Sequence, residues 1–323
     1  MLTYVIRRLL LMIPTIIGIM LFTFLLFRIV THDPARQYAG KKATPEVLAA
    51  VRHKMGTDKP LWLNIPEWRK EGTINSLVDS QFMDVLLFRF RDSMHYQESV
   101  WSLFWRKAPI SLAIQVPTFI IEIGVTMALA MFCASGRGRW PDRLLTFLSV
   151  LGMSLPPLCI YMAAQSWLGA GLRMFPVAGW GQGIYMMRYA ALPIIVGVIG
   201  NIGSGTRFYR TVALDEIYRD YVRTARAKGV NDGDVLLIHV FRNVLIPVIT
   251  STVTALPALV LGALFLEMIF QIPGLGQLLT GAIQGNDVPV VMFLVYITSI
   301  MYCLALVVTD VCYSLADPTV SLK

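Results

Sequence analysis

Apolar runs long enough to cross a membrane recur along the chain, with polar segments between them. A hydrocarbon core about 30 Å thick needs about 20 helical residues. Six runs meet that length: Leu9–Val30, Ile110–Ala134, Leu144–Leu172, Tyr189–Thr206, Val244–Phe270 and Val288–Leu315. The pattern therefore predicts an all-α integral membrane protein with six transmembrane helices.

Proline and glycine interrupt several of these runs. Prolines within a helix remove a backbone donor and favour kinks, and they occur at Pro117, Pro156, Pro157, Pro193, Pro247 and Pro257. In the fourth run, Gly197, Gly200 and Gly203 are small enough to permit close helix packing. These residues favour a bent and tightly packed bundle.

One long polar segment, Tyr218–Pro247, lies between the fourth and fifth runs. We expect a short helix over Leu214–Lys228 that ends at Gly229, because glycine accepts the left-handed cap conformation. Asn231 or Asp232 is a candidate cap for a second helix. The first helix has an apolar stripe of Tyr218, Val222 and Ala225, and a basic stripe of Arg219, Arg223 and Arg226.

The polar segment 31–107 precedes the second run. Thr44 can cap a helix that starts with Pro45 and ends at Gly56. Two interpretations of the segment are open: a small cap packed on the bundle, or a docking surface for a substrate-delivering protein. The chain thus divides into a first transmembrane helix (1–30), an extracytoplasmic segment (31–107) and a five-helix core (108–323) that includes the loop 207–243.

The composition agrees with a membrane protein, since 56% of the residues are hydrophobic and 15% are charged. A net charge of +8 could indicate nucleic-acid binding. However, 13 of the 28 Lys and Arg residues lie at the two termini and in the loops 136–143 and 207–243. This distribution follows the positive-inside rule, so we expect both termini in the cytoplasm and no nucleic-acid partner. Membrane lipid is an expected partner of the loop arginines.

The sequence contains no recognisable catalytic or metal-binding motif. The cysteines, Cys133, Cys159, Cys303 and Cys312, lie in apolar runs and form no CxxC pair. Gly40-Lys41 lacks the other residues of a phosphate-binding loop. Gly152-Met153-Ser154 is similar to an intramembrane serine nucleophile, but the predicted spans contain no histidine to serve as its base. An intramembrane enzyme remains an alternative.

Polar residues inside the spans are candidates for a transport path. A carboxylate near the middle of a membrane is costly unless it faces water or a partner, so Glu122 either meets substrate or locks two helices. Glu267 and Asp310 lie nearer span ends, and we expect them to be structural or interfacial. Hydroxyl and amide groups provide the remaining candidates, which either line the path or bond their own helices: Asn201, Ser204, Thr250, Ser251 and Thr254.

Several separated motifs resemble one family of transporters. YRDYVRTARAKGV followed by HVFRNVLIP is similar to the cytoplasmic loop of ABC-type permeases of the dipeptide and oligopeptide branch. The first 30 residues with Asp33-Pro34-Ala35 resemble the start of the B-type subunit. Glu267 with IFQIPGLGQLL, then NDVPVV and Asp317-Pro318, resembles its end. Arg223-Thr224-Ala225 stands where many permeases of the wider family carry Glu-Ala-Ala.

The resemblance implies a fold like that of a type I ABC importer permease, with a cytoplasmic coupling helix. It implies one half of an import pathway for peptides, with metal chelates or glycopeptides as alternative cargo. The implied partners are a second homologous permease subunit, two cytoplasmic ATPase subunits that hold ATP and Mg, and an extracytoplasmic binding protein. This chain itself would hold no cofactor. The implied ATPase contacts are Tyr218, Tyr221, Val222, Arg223, Ala225, Arg226 and Gly229, with Tyr221 and Val222 inserted into the ATPase.

Overall fold

A computed structural model describes residues 2–31, 34–40, 43–261 and 264–316 of the chain. The Asp33 and Asp317-Pro318 motifs and Lys41 lie outside the described residues. Every regular element in the described ranges is helical. The helices are α1 (Leu2–Thr31), α2 (Pro34–Ala39), α3 (Pro45–Met55), α4 (Ile65–Glu71), α5 (Ile74–Leu77), α6 (Gln81–Leu86), α7 (Val100–Ser135), α8 (Trp140–Ser154), α9 (Pro157–Ala164), α10 (Tyr185–Ile217), α11 (Asp220–Ala227), α12 (Asp232–Asp234), α13 (Phe241–Leu261), α14 (Leu264–Ile269), α15 (Leu275–Gln284) and α16 (Val288–Ala316).

Five helical stretches are long and apolar enough to cross a membrane within the described ranges, and a bent pair raises the number to six. The five are Ile6–Phe27, Val100–Ser135, Tyr185–Ile217, Asp232–Leu256 and Val288–Val311. The pair consists of α8 and α9, the latter continued by a π-helical turn over Gln165–Gly171. The chain bends by 93° between them, at the predicted Pro156-Pro157 break. The expected all-helical membrane fold with up to six spans is confirmed.

Several predicted span limits were wrong. α7 begins at Val100, ten residues before the predicted start, and its 36 residues extend about 54 Å, well beyond the hydrocarbon core. α10 continues to Ile217, so the first part of the predicted loop 207–243 is a continuation of a span. α13 begins at Phe241, three residues before the predicted start of the fifth span, Val244–Phe270, and the last part of that span is described as α14 from Leu264.

α7 runs from one end of the bundle to the other and packs with different helices at each end. At its first end, Leu103 and Phe104 pack with residues of α15 and α16. At its last end, Met131 and Ala134 pack with Tyr209 and with residues of α11 and α13. α11 therefore lies at the opposite end of the bundle from the segment that precedes α7.

Small residues let α10 approach its neighbours. A Cβ atom added at Gly197 would lie 2.8 Å from the Thr118 methyl group on α7. One added at Gly203 would lie 2.7 Å from the backbone oxygen of Ser149 on α8. The close approach predicted from these glycines is confirmed, and it makes α7, α8 and α10 one packed unit.

The segment before α7 forms a cap of five short helices. As predicted, Thr44 caps α3, its hydroxyl accepting from the Val47 amide, and Gly56 ends α3 with φ +70°. Lys59 bonds the carboxylates of Asp79 and Asp84, the latter at 2.8 Å. Burial lowers the pKa of Lys59, but these two bonds outweigh it, so the pKa lies above its usual value.

The cap is attached to the bundle through aromatic and polar contacts. Phe90 meets Phe293 of α16 with ring centroids 5.1 Å apart. The buried carboxylate of Asp287 accepts hydrogen bonds from the Ser93 hydroxyl and the His95 amide. These contacts favour the interpretation of the segment as a cap packed on the bundle.

Candidate coupling surface and transport path

The chain leaves the membrane-crossing part of α10 through a sharp break, and the predicted single helix over Leu214–Lys228 was wrong. α10 ends at Ile217, Arg219 adopts an extended conformation with ψ 152°, and α11 begins at Asp220. Tyr218 therefore precedes the helix that it was expected to join. Its ring is exposed and lies 5.1 Å from the Arg137 guanidinium, which also hydrogen-bonds its hydroxyl.

The two predicted stripes of the α11 region differ in burial. Val222 is fully buried and Ala225 is 8% exposed, and both pack against Val235, Val240 and other apolar residues of the bundle. The expected insertion of Val222 into a partner does not fit this structure, because the bundle itself covers the side chain. The apolar stripe instead fixes α11 to its own chain.

The basic stripe is exposed to solvent. The side chains of Arg219, Arg223 and Arg226 are 65%, 73% and 49% exposed. Each makes an ion pair with an acidic residue nearby in sequence, at 3.7 Å to Glu216, 3.6 Å to Asp220 and 3.0 Å to Asp232. Such exposed pairs are weak, so these arginines can exchange their partners for an acidic surface.

Tyr221 and Gly229 complete the geometry of α11. The Tyr221 hydroxyl donates to the Glu216 carboxylate at 2.7 Å. Burial raises the pKa of the Tyr221 hydroxyl, and the bond to Glu216 acts in the same direction. Gly229 follows the helix with φ +80°, in the left-handed region that favours glycine, and its amide bonds the Arg226 carbonyl. Asn231 precedes α12 at the predicted position, but its side chain makes no capping bond.

A buried ion pair supports the end of α10 just before this break. Both Asp142 oxygens accept from the Arg210 guanidinium, at 2.7 and 2.9 Å, and one also accepts from the Gly138 amide at 2.9 Å. Asp142 is 4% exposed. Sequence reasoning did not single out either residue, although an Asp in the first turn of a helix, within a loop rich in arginine, was a signal. The pair joins the loop 136–139 to the base of the coupling segment.

Glu122 and Asn201 come together on facing helices. The Asn201 side-chain amide donates to the Glu122 carboxylate at 3.5 Å and to the Gly197 carbonyl at 3.3 Å. Ser204 lies one turn further along α10 and bonds the Asn201 carbonyl. Glu122 is partly exposed and Asn201 is exposed, so the pair lies at an open surface of the bundle.

The hydroxyl groups of α13 form a separate set. Thr250, Ser251 and Thr254 all donate to carbonyls of their own helix, at 2.9–3.1 Å. Ser251 also lies 3.0 Å from the Tyr209 hydroxyl of α10. These bonds favour a structural role for the α13 hydroxyls, and the structure does not bring them together with Glu122.

Glu267 has the structural role that was expected of it. Its fully buried carboxylate accepts from the Ser111 hydroxyl at 2.7 Å and from the amides of Gly276 and Gln277 at 2.8 and 3.2 Å. These amides belong to the first turn of α15, where unpaired N–H groups favour a negative charge. The other expected structural acid, Asp310, pairs with Arg8 at 3.2 Å.

Comparison with known proteins identifies the family. Residues 126–322 match the family described as binding-protein-dependent transport system inner membrane component, and residues 1–115 match the N-terminal domain of the same systems. The chain belongs to this family. It is therefore a multi-pass inner membrane protein and a transport permease subunit.

Two relatives match over nearly their whole length. A putative peptide transport system permease protein of Brucella abortus (strain 2308) is 29% identical over 320 residues, which cover 98% of both chains. The glutathione transport system permease protein GsiC of Salmonella paratyphi A is 31% identical over 323 residues, which cover 100% of both chains. The permease family thus accounts for the entire chain.

Proposed function

We propose that this permease forms one half of the translocation pathway of an ATP-driven importer for di- or oligopeptides. The relatives carry the names of peptide and glutathione permeases, which supports a short peptide or a peptide-like thiol as cargo. The second half of the pathway comes from a homologous permease subunit. It packs on the partly exposed face that carries Glu122 and Asn201, where these polar groups would line a shared passage.

The energy for transport comes from partner subunits. Moving a two-state gate from 1:99 to 99:1 requires about 5.5 kcal/mol of differential binding, more than the weak exposed ion pairs of α11 can supply. Two ATPase subunits with bound ATP and Mg would supply it. An extracytoplasmic binding protein would deliver the cargo at the cap end, which places both termini and α11 in the cytoplasm.

The observation that carries this proposal is the contrast between two buried apolar residues of α11 and the exposed arginines beside them. Val222 and Ala225 fix the helix to the bundle, so a force on α11 reaches α7 and α10 through packed side chains. Arg219, Arg223 and Arg226 remain available to an acidic partner surface. Tyr218 and Tyr221 lie beside them, and Gly229 sets where the helix ends.

Charge reversal of the three arginines tests the proposal. Arg219, Arg223 and Arg226 are each replaced by Glu, and the permease is purified through an affinity tag together with its ATPase subunits. We expect at least a tenfold loss of co-purified ATPase, because three attractive contacts become repulsive. The control replaces Arg69 and Lys70 of the cap by Glu and should retain the ATPase. Unchanged co-purification of the α11 variant would contradict the proposed surface.

A further inference from the structure

A carboxylate lies deep inside the membrane-crossing part of the bundle. Glu122 of α7 meets Asn201 of α10, and we call these two residues the central pair. Asn201 is the middle residue of α10, whose 33 residues extend about 50 Å, so the pair is about 25 Å from either end of that helix. A charge at this depth requires a partner or water.

The central pair is not needed to hold α7 and α10 together. One turn before it, a Cβ atom added at Gly197 would lie 2.8 Å from the Thr118 methyl group. One turn after it, a Cβ atom added at Gly205 would lie 2.8 Å from the Thr126 methyl group. The two helices are therefore packed closely on both sides of the pair, and these contacts fix the position of its polar groups.

Glu122 lacks the bonds that a structural carboxylate makes. Its one hydrogen bond within the described residues comes from the Asn201 amide at 3.5 Å, well beyond the usual distance of about 3 Å. By contrast, the buried Glu267 accepts three hydrogen bonds at 2.7, 2.8 and 3.2 Å. Glu122 is partly exposed, and no basic side chain in the described part of the chain pairs with it. Its charge is available to a ligand.

Two more hydrogen-bonding groups lie beside this carboxylate. The Asn201 side-chain oxygen accepts no hydrogen bond within the ranges that the structure describes. On α9, the Tyr161 hydroxyl faces the residue before Asn201, since a Cβ atom added at Gly200 would lie 3.5 Å from the hydroxyl oxygen. The Glu122 charge acts on this hydroxyl, which makes no hydrogen bond to any other described residue. Together the three groups offer one negative charge and three acceptors.

This arrangement fits an ammonium group. A charged amine offers three N–H donors, and the free amino end of a peptide is largely charged at neutral pH because its pKa is about 8. We propose that Glu122 binds the amino end of the cargo peptide during its passage, with Asn201 and Tyr161 as further acceptors. The proposal rests on the importer function proposed above and adds which part of the cargo the permease recognises.

Carbodiimide coupling tests this contact directly, because it joins a carboxyl group to an adjacent amine without a spacer. The complete transporter in proteoliposomes is treated with dicyclohexylcarbodiimide and isotope-labelled dialanine and glutathione, and mass spectrometry identifies the product on Glu122. We expect an amide-linked peptide. A tenfold excess of the unlabelled peptides should reduce the labelled product at least fivefold, and the same excess of their N-acetylated forms should not. Glu122 without a linked peptide, or equal competition by the N-acetylated forms, would overturn the proposal.

Glu122→Gln tests the same role in transport. Glutamine keeps the size of the side chain and accepts from Asn201 but carries no charge, so ATP-driven import of whichever peptide the wild type accepts should fall at least tenfold, with an unchanged melting temperature. The control Glu98→Gln removes a carboxylate that pairs with Arg106, just before α7, and should import normally. Import by Glu122→Gln at the wild-type rate would overturn this inference alone. A wild-type transporter that imports neither peptide would overturn the proposed function, and this inference with it.

Discussion

The carboxyl group of Glu267 holds α14 against the start of α15 and the first third of α7. Ser111 takes part twice, since its hydroxyl donates to Glu267 and accepts from the Leu275 amide at 2.7 Å. Gly274 passes close to both side chains. Its backbone is extended, with φ −92° and ψ −165°, so the position requires glycine for space and not for backbone conformation.

Replacing Gly274 by Ala should destabilise the protein. The added Cβ atom would lie 2.4 Å from a Glu267 carboxylate oxygen and 2.4 Å from the Ser111 hydroxyl, so both must move. Overpacking of this kind costs about 1–3 kcal/mol, which should lower the melting temperature in detergent. Gly152→Ala is the control, because nothing lies within 4 Å of its new Cβ atom. Equal melting temperatures for the two variants would contradict this assignment.

The Asp142–Arg210 pair allows a second prediction at the residue scale. Removing one partner of a buried ion pair leaves an uncompensated charge, at a cost of about 3 kcal/mol. Asp142→Asn and Arg210→Met should each lower the melting temperature, and the double variant should lose less than the sum. A double-mutant cycle measures this difference. Strict additivity would show that the two residues act independently.

Asp220→Asn is the matched control for this cycle. Asp220 also pairs with an arginine, Arg223, but its side chain is 97% exposed. Because exposed ion pairs contribute little to stability, this variant should have the same melting temperature as the wild type.

At the scale of single elements, α11 depends on where it ends. Gly229→Ile places a β-branched residue at φ +80°, a backbone conformation that glycine adopts without cost. Nothing lies within 4 Å of the added Cβ atom, so the effect is one of backbone conformation and not of steric contact. We expect normal membrane insertion with loss of transport and uncoupled ATP hydrolysis, measured together in proteoliposomes.

Two controls separate this effect from general destabilisation. Gly229→Asn should retain transport, because asparagine tolerates the left-handed conformation. Gly72→Ile introduces the same strain at φ +67° in the cap, also without a neighbour within 4 Å, and should transport normally. Transport at the normal rate by Gly229→Ile would show that the end of α11 is not critical for coupling.

The sequence predicted elements better than it predicted their limits and contacts. Apolar length identified the spans, and the Thr44 and Gly56 caps were correct because capping depends on local chemistry. It missed the break after Ile217, where neither proline nor glycine interrupts a good helical sequence. It also predicted that Val222 contacts a partner, whereas residues of the same chain bury this side chain. The spacing of apolar residues shows that a helix has an apolar stripe, but not whether its own chain or a partner covers that stripe.

Residue contacts between distant segments were the hardest to predict. Asp142 and Arg210 are 68 positions apart, and the polar spacing in either segment does not reveal the pair. Glu122 and Asn201 were each identified as path candidates, but their contact appears only when Gly197 brings α7 and α10 together. The α13 hydroxyls had two open interpretations, and the structure favours bonds to their own helix.

At the scale of the whole molecule, α7 connects the two functional ends. It packs with α15 and α16 beside the cap and with α11 and α13 at the other end. A movement of α11 therefore has a continuous packed route along α7 and α10 to the Glu122–Asn201 pair. At the cap end, Asp287 and Phe293 bind the cap to the bundle. We therefore expect the α11 end of the bundle to move during transport while the cap end keeps its contacts.

Photo-crosslinking from position 223 tests the central claim most directly. A photoreactive amino acid replaces the exposed Arg223 in cells that contain the complete transporter, and a second variant carries it at the exposed Trp68 of the cap. We predict an adduct between position 223 and an ATPase subunit, with none from position 68. An adduct from position 223 to an extracytoplasmic protein, or no ATPase adduct, would contradict the proposal that α11 is the surface to which the ATPase subunit binds.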